Sequence, residues 1–308
     1  MRRLALTTLV LNVVLVITGG AVRLTDSGLG CPTWPKCTAA SYHNTSEFGI
    51  HGYIEFGNRL LTFVLVAAVV LTFLAALVST SQRRSLIWLS VLSGATIPAQ
   101  AVVGGVTVLT QLNPYTVAAH FLFTVLIIAI AYWLWRRCRE GDEPAELLVA
   151  RPLRALAILL TALTTVVLAI GTLVTGSGPH SGDHGAARTG LDPEMLAQLH
   201  ADAVMLLIGA SVAAWFAFRA VDAPHRVRRA VTVLLAVELS QGVVGFVQYF
   251  THLPILLVGL HMAGAAAVWL AVLAVLFATR SRGPVPVAEA VHGDTARGTV
   301  FGDGSAPA

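Results

Sequence analysis

The sequence is short of charge: Asp, Glu, Lys and Arg make up only 12% of its 308 residues, whereas 56% are hydrophobic. Soluble domains carry about a quarter charged residues, so this composition excludes an ordinary soluble protein. The mean hydropathy of +0.76 indicates an integral membrane protein. Because backbone polar groups inside lipid must be satisfied within the chain, its spanning segments are predicted to be helices.

The first apolar segment also lacks a clear A-x-A cleavage signal after its basic start "MRR", so we interpret it as a retained helix rather than a signal peptide. A spanning helix needs about 20 mostly apolar residues. By this criterion the sequence predicts eight spans, near 4–22, 51–79, 86–108, 114–135, 155–175, 196–218, 230–250 and 254–279.

Most of the basic residues are arginines at the N-terminus, in alternate connections and just after the last span. By the positive-inside rule, this pattern predicts a multi-pass protein of the cell membrane with both termini in the cytoplasm. The positive charge therefore reflects membrane orientation and gives no evidence for nucleic-acid binding. The stretch from Gly283 is rich in Gly, Ala and Pro, and we expect 280–308 to be a disordered cytoplasmic tail.

An internal repeat divides the chain. "QAVVGGV" from Gln100 is echoed by "QGVVGFV" from Gln241, and the next span carries His120 in one half and His261 in the other. Each half contains four spans, so the halves keep the same orientation. We therefore predict two parallel four-helix bundles, 1–140 and 141–279.

Four histidines share one depth in this topology: His51, His120, His200 and His261 all fall early in inward-running spans. A lone membrane histidine is often a helix-to-helix hydrogen bond, but two per bundle favour metal or haem ligation. Structural zinc sites assemble four close ligands, often cysteines, and the sequence has only three cysteines. Two opposed imidazoles suit the axial positions of a haem iron.

Two of the cysteines lie close together in the first outer loop, "GCPTWPKC". An oxidising exterior allows a disulfide to persist there, so we predict a Cys31–Cys37 bond. Its role is either structural or redox-active, and the sequence leaves this open.

The segments "GGAVRLTDSGLGCPTWPKC" and "IEFGNR", followed by single histidines in the fourth, sixth and eighth spans, resemble haem A synthase of the bacterial type. The resemblance implies an oxidoreductase that converts the C8 methyl of haem O to the formyl of haem A by successive hydroxylation, for terminal oxidase assembly. It implies haem b as cofactor and haem O as substrate. Haem O synthase and oxidase assembly factors are implied as partners, while the electron donor stays unknown.

Carried over by position, the resemblance assigns His200 and His261 to haem b and His120 to the substrate haem iron. Glu55 matches an acidic residue implicated in the oxidation. Arg59 and Arg23 are candidate partners of haem propionates, because forked guanidinium donors suit carboxylates.

One position departs from the family. Where many members have E-x-x-H-R, this sequence has Glu55-Phe-Gly-Asn58-Arg59. We hypothesise either that His51, about two helical turns earlier, replaces the missing ligand, or that the substrate iron keeps one open position.

Two other functions use some of the same features. A bis-histidine membrane cytochrome would carry electrons without modifying haem, but Asn58 disfavours it. A transporter is suggested by parallel repeats and buried acids, yet it gives no reason for the depth-matched histidines.

Overall fold

A computed structural model describes residues 1–79 and 83–284 of the chain. Within these residues, eight helices are long and apolar enough to cross a membrane, which confirms the predicted all-α, multi-pass membrane fold. The helices are α1 (Arg2–Leu24), α2 (Gly49–Leu77), α3 (Arg84–Leu109), α4 (Pro114–Arg137), α5 (Arg151–Ser177), α6 (Pro193–Ala220), α7 (His225–Phe250) and α8 (Ile255–Ala278). A 3-10 turn, Ser46–Phe48, precedes α2.

Several helices begin earlier than the apolar segments that predicted them. α5 begins at Arg151 and α7 at His225, ahead of the predicted 155–175 and 230–250. Hydropathy marks only the part of a helix that lies in hydrocarbon, whereas a polar first turn can continue the helix into the headgroup region. Arginine-rich first turns therefore escaped the prediction.

Local sequence fixes the starts of α4 and α6, which lie at the end of the bundle opposite to the starts of α5 and α7. Asn113 precedes Pro114, and its side chain accepts a 3.0 Å hydrogen bond from the backbone N–H of Tyr115. Asp192 precedes Pro193 and accepts from the N–H of Glu194 at 2.9 Å. An Asn or Asp cap followed by proline at the first helical position is a strong start signal.

The helix contacts form two closed groups. α1 to α4 pack in a ring, each against the next and α4 against α1, and α5 to α8 do the same. The two groups meet where α1 and α4 pack against α8, and α4 against α5. The core crosses this boundary: the indole N–H of Trp269 on α8 donates to the carbonyl of Val125 on α4 at 2.9 Å.

The connections define two ends of the bundle. At what we call the disulfide end, Gly28 of the α1–α2 loop donates its N–H to the carbonyl of Gly182 in the α5–α6 loop at 2.8 Å. His180 of that loop bonds through Nε2 to the carbonyl of Leu253 in the α7–α8 loop at 3.0 Å. The α3–α4 connection also lies at this end, where Leu112 packs beside Gly28 and Gly182. The other end, which we call the arginine end, carries the start of α3 and the α4–α5 and α6–α7 connections.

At the arginine end two short strands correct a prediction. β1 (Glu146–Leu147) pairs antiparallel with β2 (Arg280–Ser281), so residues 280 and 281, which were expected to be disordered, are strand. Because β2 begins two residues after the end of α8, this pairing brings the chain back onto the α4–α5 connection. The rest of the predicted tail, 285–308, lies outside the described residues.

Large apolar side chains remain exposed along the helices. Phe63, Trp88 and Leu256 are each at least 70% exposed. A soluble monomer rarely exposes so much contiguous apolar surface, whereas lipid is the favourable solvent for it. Composition and packing thus agree on a multi-pass membrane protein.

Candidate functional site

His200 on α6 and His261 on α8 face each other inside the second bundle. Their ring centroids are 6.4 Å apart, and the ring planes are 79° from parallel. In both residues Nδ1 is buried without a hydrogen-bond partner. The carbonyl of Val167 on α5 lies beside the His200 ring, but outside hydrogen-bond geometry with Nδ1. The structure therefore brings the predicted pair together and leaves Nδ1 of each ring without a hydrogen-bond partner.

Three of the four predicted spanning histidines lie against a glycine of the preceding helix. A Cβ added to Gly171 would lie 3.2 Å from Cε1 of His200, and one added to Gly245 would lie 3.4 Å from Cε1 of His261. In the first bundle, a Cβ on Gly104 would lie 2.9 Å from Cε1 of His120. At Gly104 a side chain would force the imidazole to move, at Gly171 it would be tight, and at Gly245 it would make an ordinary contact.

His120 on α4 has a glutamine neighbour. The amide of Gln100 donates to the carbonyl of His120 at 3.1 Å and to Oγ1 of Thr124 at 2.6 Å, and Nδ1 of His120 is buried without a partner. In the second bundle Gln241 packs over Gly264, where any Cβ would overlap its amide. Gln100 therefore joins α3 to α4, and Gln241 packs α7 against α8 at the equivalent place in the second bundle.

The position where the family pattern has a second histidine carries an amide in this chain. Asn58 on α2 accepts a 2.7 Å hydrogen bond through Oδ1 from Oγ1 of Thr18 on α1. This mirrors the second bundle, where His200 on α6 packs against Gly171 on α5. His51 is exposed instead, and its Nδ1 is 3.0 Å from Oγ of Ser27 at the start of the α1–α2 loop.

Glu55 and Arg59 hold the cysteine loop. The predicted Cys31–Cys37 disulfide is present. Oε2 of Glu55 accepts a 2.6 Å bond from the N–H of Cys31, and Oε1 accepts from the guanidinium of Arg59 at 2.5 Å and 3.1 Å. Arg59 also donates to the carbonyls of Cys31 at 2.9 Å and Thr33 at 3.2 Å. Glu55 itself is 5% exposed.

The same loop reaches the His120 region. A Cβ on Gly105 would overlap the indole of Trp34, which sits between the two cysteines in sequence. Gly105 adjoins Gly104, the glycine beneath His120. The loop is therefore fastened on one side to Glu55 and Arg59 and on the other to α3, next to His120.

Arg23 bonds to the neighbouring bundle. Its Nε donates to the carbonyl of His180 at 2.8 Å, and a terminal nitrogen donates to the carbonyl of Thr175 at 3.0 Å. Arg59 likewise spends its donors within the protein. The structure thus gives both predicted propionate contacts other partners, and those two roles stay predictions.

Two acidic residues on helices of the second bundle, Glu238 and Asp202, do not contact each other. Oε1 of Glu238, which is 3% exposed, accepts a 3.0 Å bond from Oγ of Ser211, and its Oε2 is buried without a partner. Asp202 is exposed and accepts from the amide of Gln198 at 2.7 Å. A pairing of Glu238 with Asp202 is therefore excluded.

The residues fit a haem better than zinc. No three His, Cys, Asp or Glu side chains gather as a metal site anywhere in 1–79 or 83–284. Two imidazole–metal bonds of about 2 Å each, plus the two ring radii, place opposed ring centroids about 6 Å apart, close to the observed 6.4 Å between His200 and His261. The second bundle fits a bis-histidine haem, and the first offers His120 alone.

Sequence reasoning missed Thr18, Trp34 and Gly171. Thr18 and Gly171 sit on the first helix of their bundles, where the repeat is weakest in sequence. Aligning the halves by helix order would have paired α1 with α5. It would also have shown that both helices support the second-helix ligand position. Trp34 offered no periodic signal, because it lies in a loop.

Comparison with known proteins agrees with this arrangement. Residues 2–180, more than half of the chain, match the COX15-CtaA family, described as cytochrome oxidase assembly protein. The chain is 29% identical over 138 residues to a protein named heme A synthase from Geobacillus thermodenitrificans, covering 44% of this chain and 43% of that one. It is 31% identical over 197 residues to a heme A synthase from Rhodopseudomonas palustris, covering 53% of each.

These alignments span about half the length of the curated relatives, so they do not transfer a whole protein's activity. Membership of the family rests on the match over residues 2–180. The matched range includes the cysteine loop, the Glu55–Arg59 pair and His120. His200 and His261, which also carry the resemblance, lie beyond this range. The chain belongs to the COX15-CtaA family of cytochrome oxidase assembly proteins.

Proposed function

We propose that this protein is a haem A synthase, which oxidises the C8 methyl of haem O to a formyl group by successive hydroxylation. The observation that carries the proposal is the asymmetry between the bundles. The second bundle holds two facing histidines, whereas the first has Asn58 where the family pattern has a second histidine. A bis-histidine site suits electron transfer, and a site with one histidine leaves the opposite face of a bound haem free to react.

In this proposal, His200 and His261 of bundle 141–279 hold haem b, and His120 of bundle 1–140 holds the haem substrate. When bound, the iron supplies the oxidising chemistry and the protein supplies position and protons. His51 is the weaker alternative for a second substrate ligand. Its exposure and its contact with Ser27 favour the open position.

Glu55 is proposed to take part in the oxidation through the loop it holds. Both of its oxygens already accept hydrogen bonds, from Arg59 and from the backbone of Cys31. A carboxylate oxygen has two lone pairs, so Oε2, which accepts only the bond from Cys31, can take up a proton while that bond remains. Glu55 can therefore both hold the cysteine loop and exchange a proton.

We also propose that the arginine end faces the cytoplasm and that the protein resides in the cell membrane. Arginines concentrate at that end, as the positive-inside rule requires, and the disulfide at the opposite end suits an oxidising exterior. Haem O synthase and oxidase assembly factors are proposed partners by membership of the family.

The direct test is mass-resolved chromatography of haems extracted from aerobic membranes of cells that make haem O. Haem A or its hydroxylated precursor should appear with the wild-type protein and disappear with His120→Ala. His184→Ala is a matched control, because that imidazole is 94% exposed, and it should keep the product. If haem b copurifies while haem O stays unmodified, the bis-histidine cytochrome becomes the better assignment.

A further inference from the structure

The turn between α6 and α7 forms an open cationic cleft at the arginine end. The cleft has a volume of about 520 Å³ and is lined by Arg219, His225, Arg228, Arg229, Thr232 and Val233. It lies where α6 ends at Ala220 and α7 begins at His225. Because both helices cross the membrane, the cleft lies at a lipid–water boundary.

The walls of the cleft are fixed by contacts between the two helices. The indole N–H of Trp215 on α6 donates to Oγ1 of Thr232 on α7 at 3.0 Å. The guanidinium of Arg219 stacks on the Trp215 ring, 3.9 Å from its centroid. A stacked guanidinium keeps its donors free for an anion, because the contact uses only its face.

The positive charge of the cleft is poorly compensated. Among the described residues, Asp222 is the carboxylate that lies within ion-pair distance of an arginine lining the cleft. Its Oδ1 is 3.6 Å from Arg228, and its side chain is 94% exposed, where pairing is weak. Arg219 and Arg229 have no carboxylate within that distance among the described residues.

Arginines elsewhere at the same end behave differently. Arg83 and Arg137 both bond to Asp142, at 2.6 Å and 2.9 Å, and Arg136 pairs with Glu140 at 3.3 Å. Those cations neutralise internal acids and hold loops together. Membrane orientation alone requires arginines at this end, but it does not require a cleft in which they stay unpaired.

One side of the cleft is apolar. Val233 lines it at 46% exposure, and Phe216, on the adjoining part of α6, is 63% exposed. A free inorganic anion gains nothing from such a wall. A phospholipid does, because its phosphate and its acyl chains lie at these two levels.

We propose that the α6–α7 cleft binds the headgroup phosphate of an anionic phospholipid, with the acyl chains along Val233 and Phe216. Basic pockets between spanning helices at an anionic membrane surface take such headgroups. The uncapped first turn of α7 adds backbone N–H groups on the same side. The proposal does not depend on the haem chemistry of either bundle.

The test measures how much phosphatidylglycerol the purified protein retains, by native mass spectrometry after reconstitution in nanodiscs of equal phosphatidylcholine and phosphatidylglycerol. The double variant Arg228→Gln/Arg229→Gln should retain phosphatidylglycerol about 25-fold more weakly, from the typical contribution of two arginines. Arg2→Gln/Arg3→Gln removes the same charge from two exposed residues near the same end and should behave like wild type.

The lysine pair Arg228→Lys/Arg229→Lys should restore most of the binding, which separates lost charge from lost folding. Equal losses in the cleft variant and the Arg2/Arg3 control would show diffuse surface attraction and overturn the proposal. Displacement of the lipid by an equal concentration of inorganic phosphate would also overturn it, because the site would then take free phosphate.

Discussion

At the scale of single residues, the two bundles differ at the second-helix position where the family pattern has a histidine. Asn58 is fixed to Thr18 by a 2.7 Å bond, and an amide oxygen is a poor ligand for iron. His200 stands at the corresponding place in the second bundle, 6.4 Å from His261. In the function proposed above, this one side chain separates a site with two iron ligands from a site with one.

Asn58→His should convert the first bundle into a second bis-histidine site. We expect the haem held by His120 to change to a six-coordinate low-spin optical spectrum, whereas haem O oxidation should persist, because many members of the family carry a histidine at this position. Spectra and product analysis of the purified variant measure both effects. Asn58→Gln, which keeps an amide, is the control. An unchanged spectrum in Asn58→His would show that position 58 does not face the iron opposite His120, contrary to the proposal.

Arg59 supports a second prediction at this scale. Arg59→Gln leaves the carboxylate of Glu55, which is 5% exposed, without its cation. Breaking one partner of a buried ion pair costs about 3 kcal/mol, so the thermal midpoint should fall and proteolysis between residues 31 and 48 should become faster. Arg59→Lys should lose less, because it keeps the charge. Equal proteolysis of wild type and Arg59→Gln would show that the loop is held by other contacts.

At the scale of the helices, glycines decide where the histidine rings lie. A Cβ on Gly104 would approach Cε1 of His120 to 2.9 Å, whereas a Cβ on Gly242 of α7 meets nothing within 4 Å. Side-chain carbons essentially never pack that closely, so the ring must move when Gly104 is replaced. The glycines next to the histidines thus belong to the ligand sites although they touch no ligand.

Gly104→Ala should therefore weaken haem binding in the first bundle and leave that in the second unchanged. Gly245→Ala, with a looser 3.4 Å contact to His261, should have a smaller effect on the second. Gly242→Ala tests the general effect of alanine in α7 and should be silent. Haem content per protein, measured optically, distinguishes these results. A loss of haem in Gly242→Ala equal to that in Gly104→Ala would indicate general destabilisation of the helices.

The sequence predicted the helices better than the contacts between them. Hydropathy and the Gln100/Gln241 repeat located all eight spans and the histidine-bearing helices, because both signals are local. The bond between Thr18 and Asn58 joins two helices and follows no spacing rule. The approach of Trp34 to Gly105 depends on how a loop folds back, which composition does not encode.

At the scale of the whole molecule, the arginine end fastens three separated parts of the chain. Asp142 of the α4–α5 connection accepts bonds from Arg83, just before α3, and from Arg137. The adjacent Gly141 donates its N–H to the carbonyl of Gly283, beyond α8, at 3.0 Å. One short connection thus links the two bundles and the start of the C-terminal segment.

This link should depend on pH. The hydrogen bond from Arg83 lowers the pKa of the Asp142 carboxyl below its ordinary value. A carboxyl whose pKa is lower in the folded state stabilises that state above its unfolded pKa of about 3.9, and the contribution is lost as pH falls through the folded pKa. Asp142→Asn should therefore lower the thermal midpoint slightly at pH 7, because the side chain is 47% exposed and solvent screens the pair.

The difference between Asp142→Asn and wild type should shrink as the pH is lowered from 5 towards 3. Thermal unfolding in detergent measures it, and amide exchange at Gly141, compared between proteins at one pH, reports the local bond to Gly283. Glu146→Gln removes one negative charge from an exposed residue of β1 and should leave both measurements unchanged. Asp142 contacts Arg83 and Arg137 directly, whereas Glu146 contacts neither in the described structure. Equal effects of the two variants would therefore mean that net charge, rather than the Asp142 ion pairs, couples the bundles.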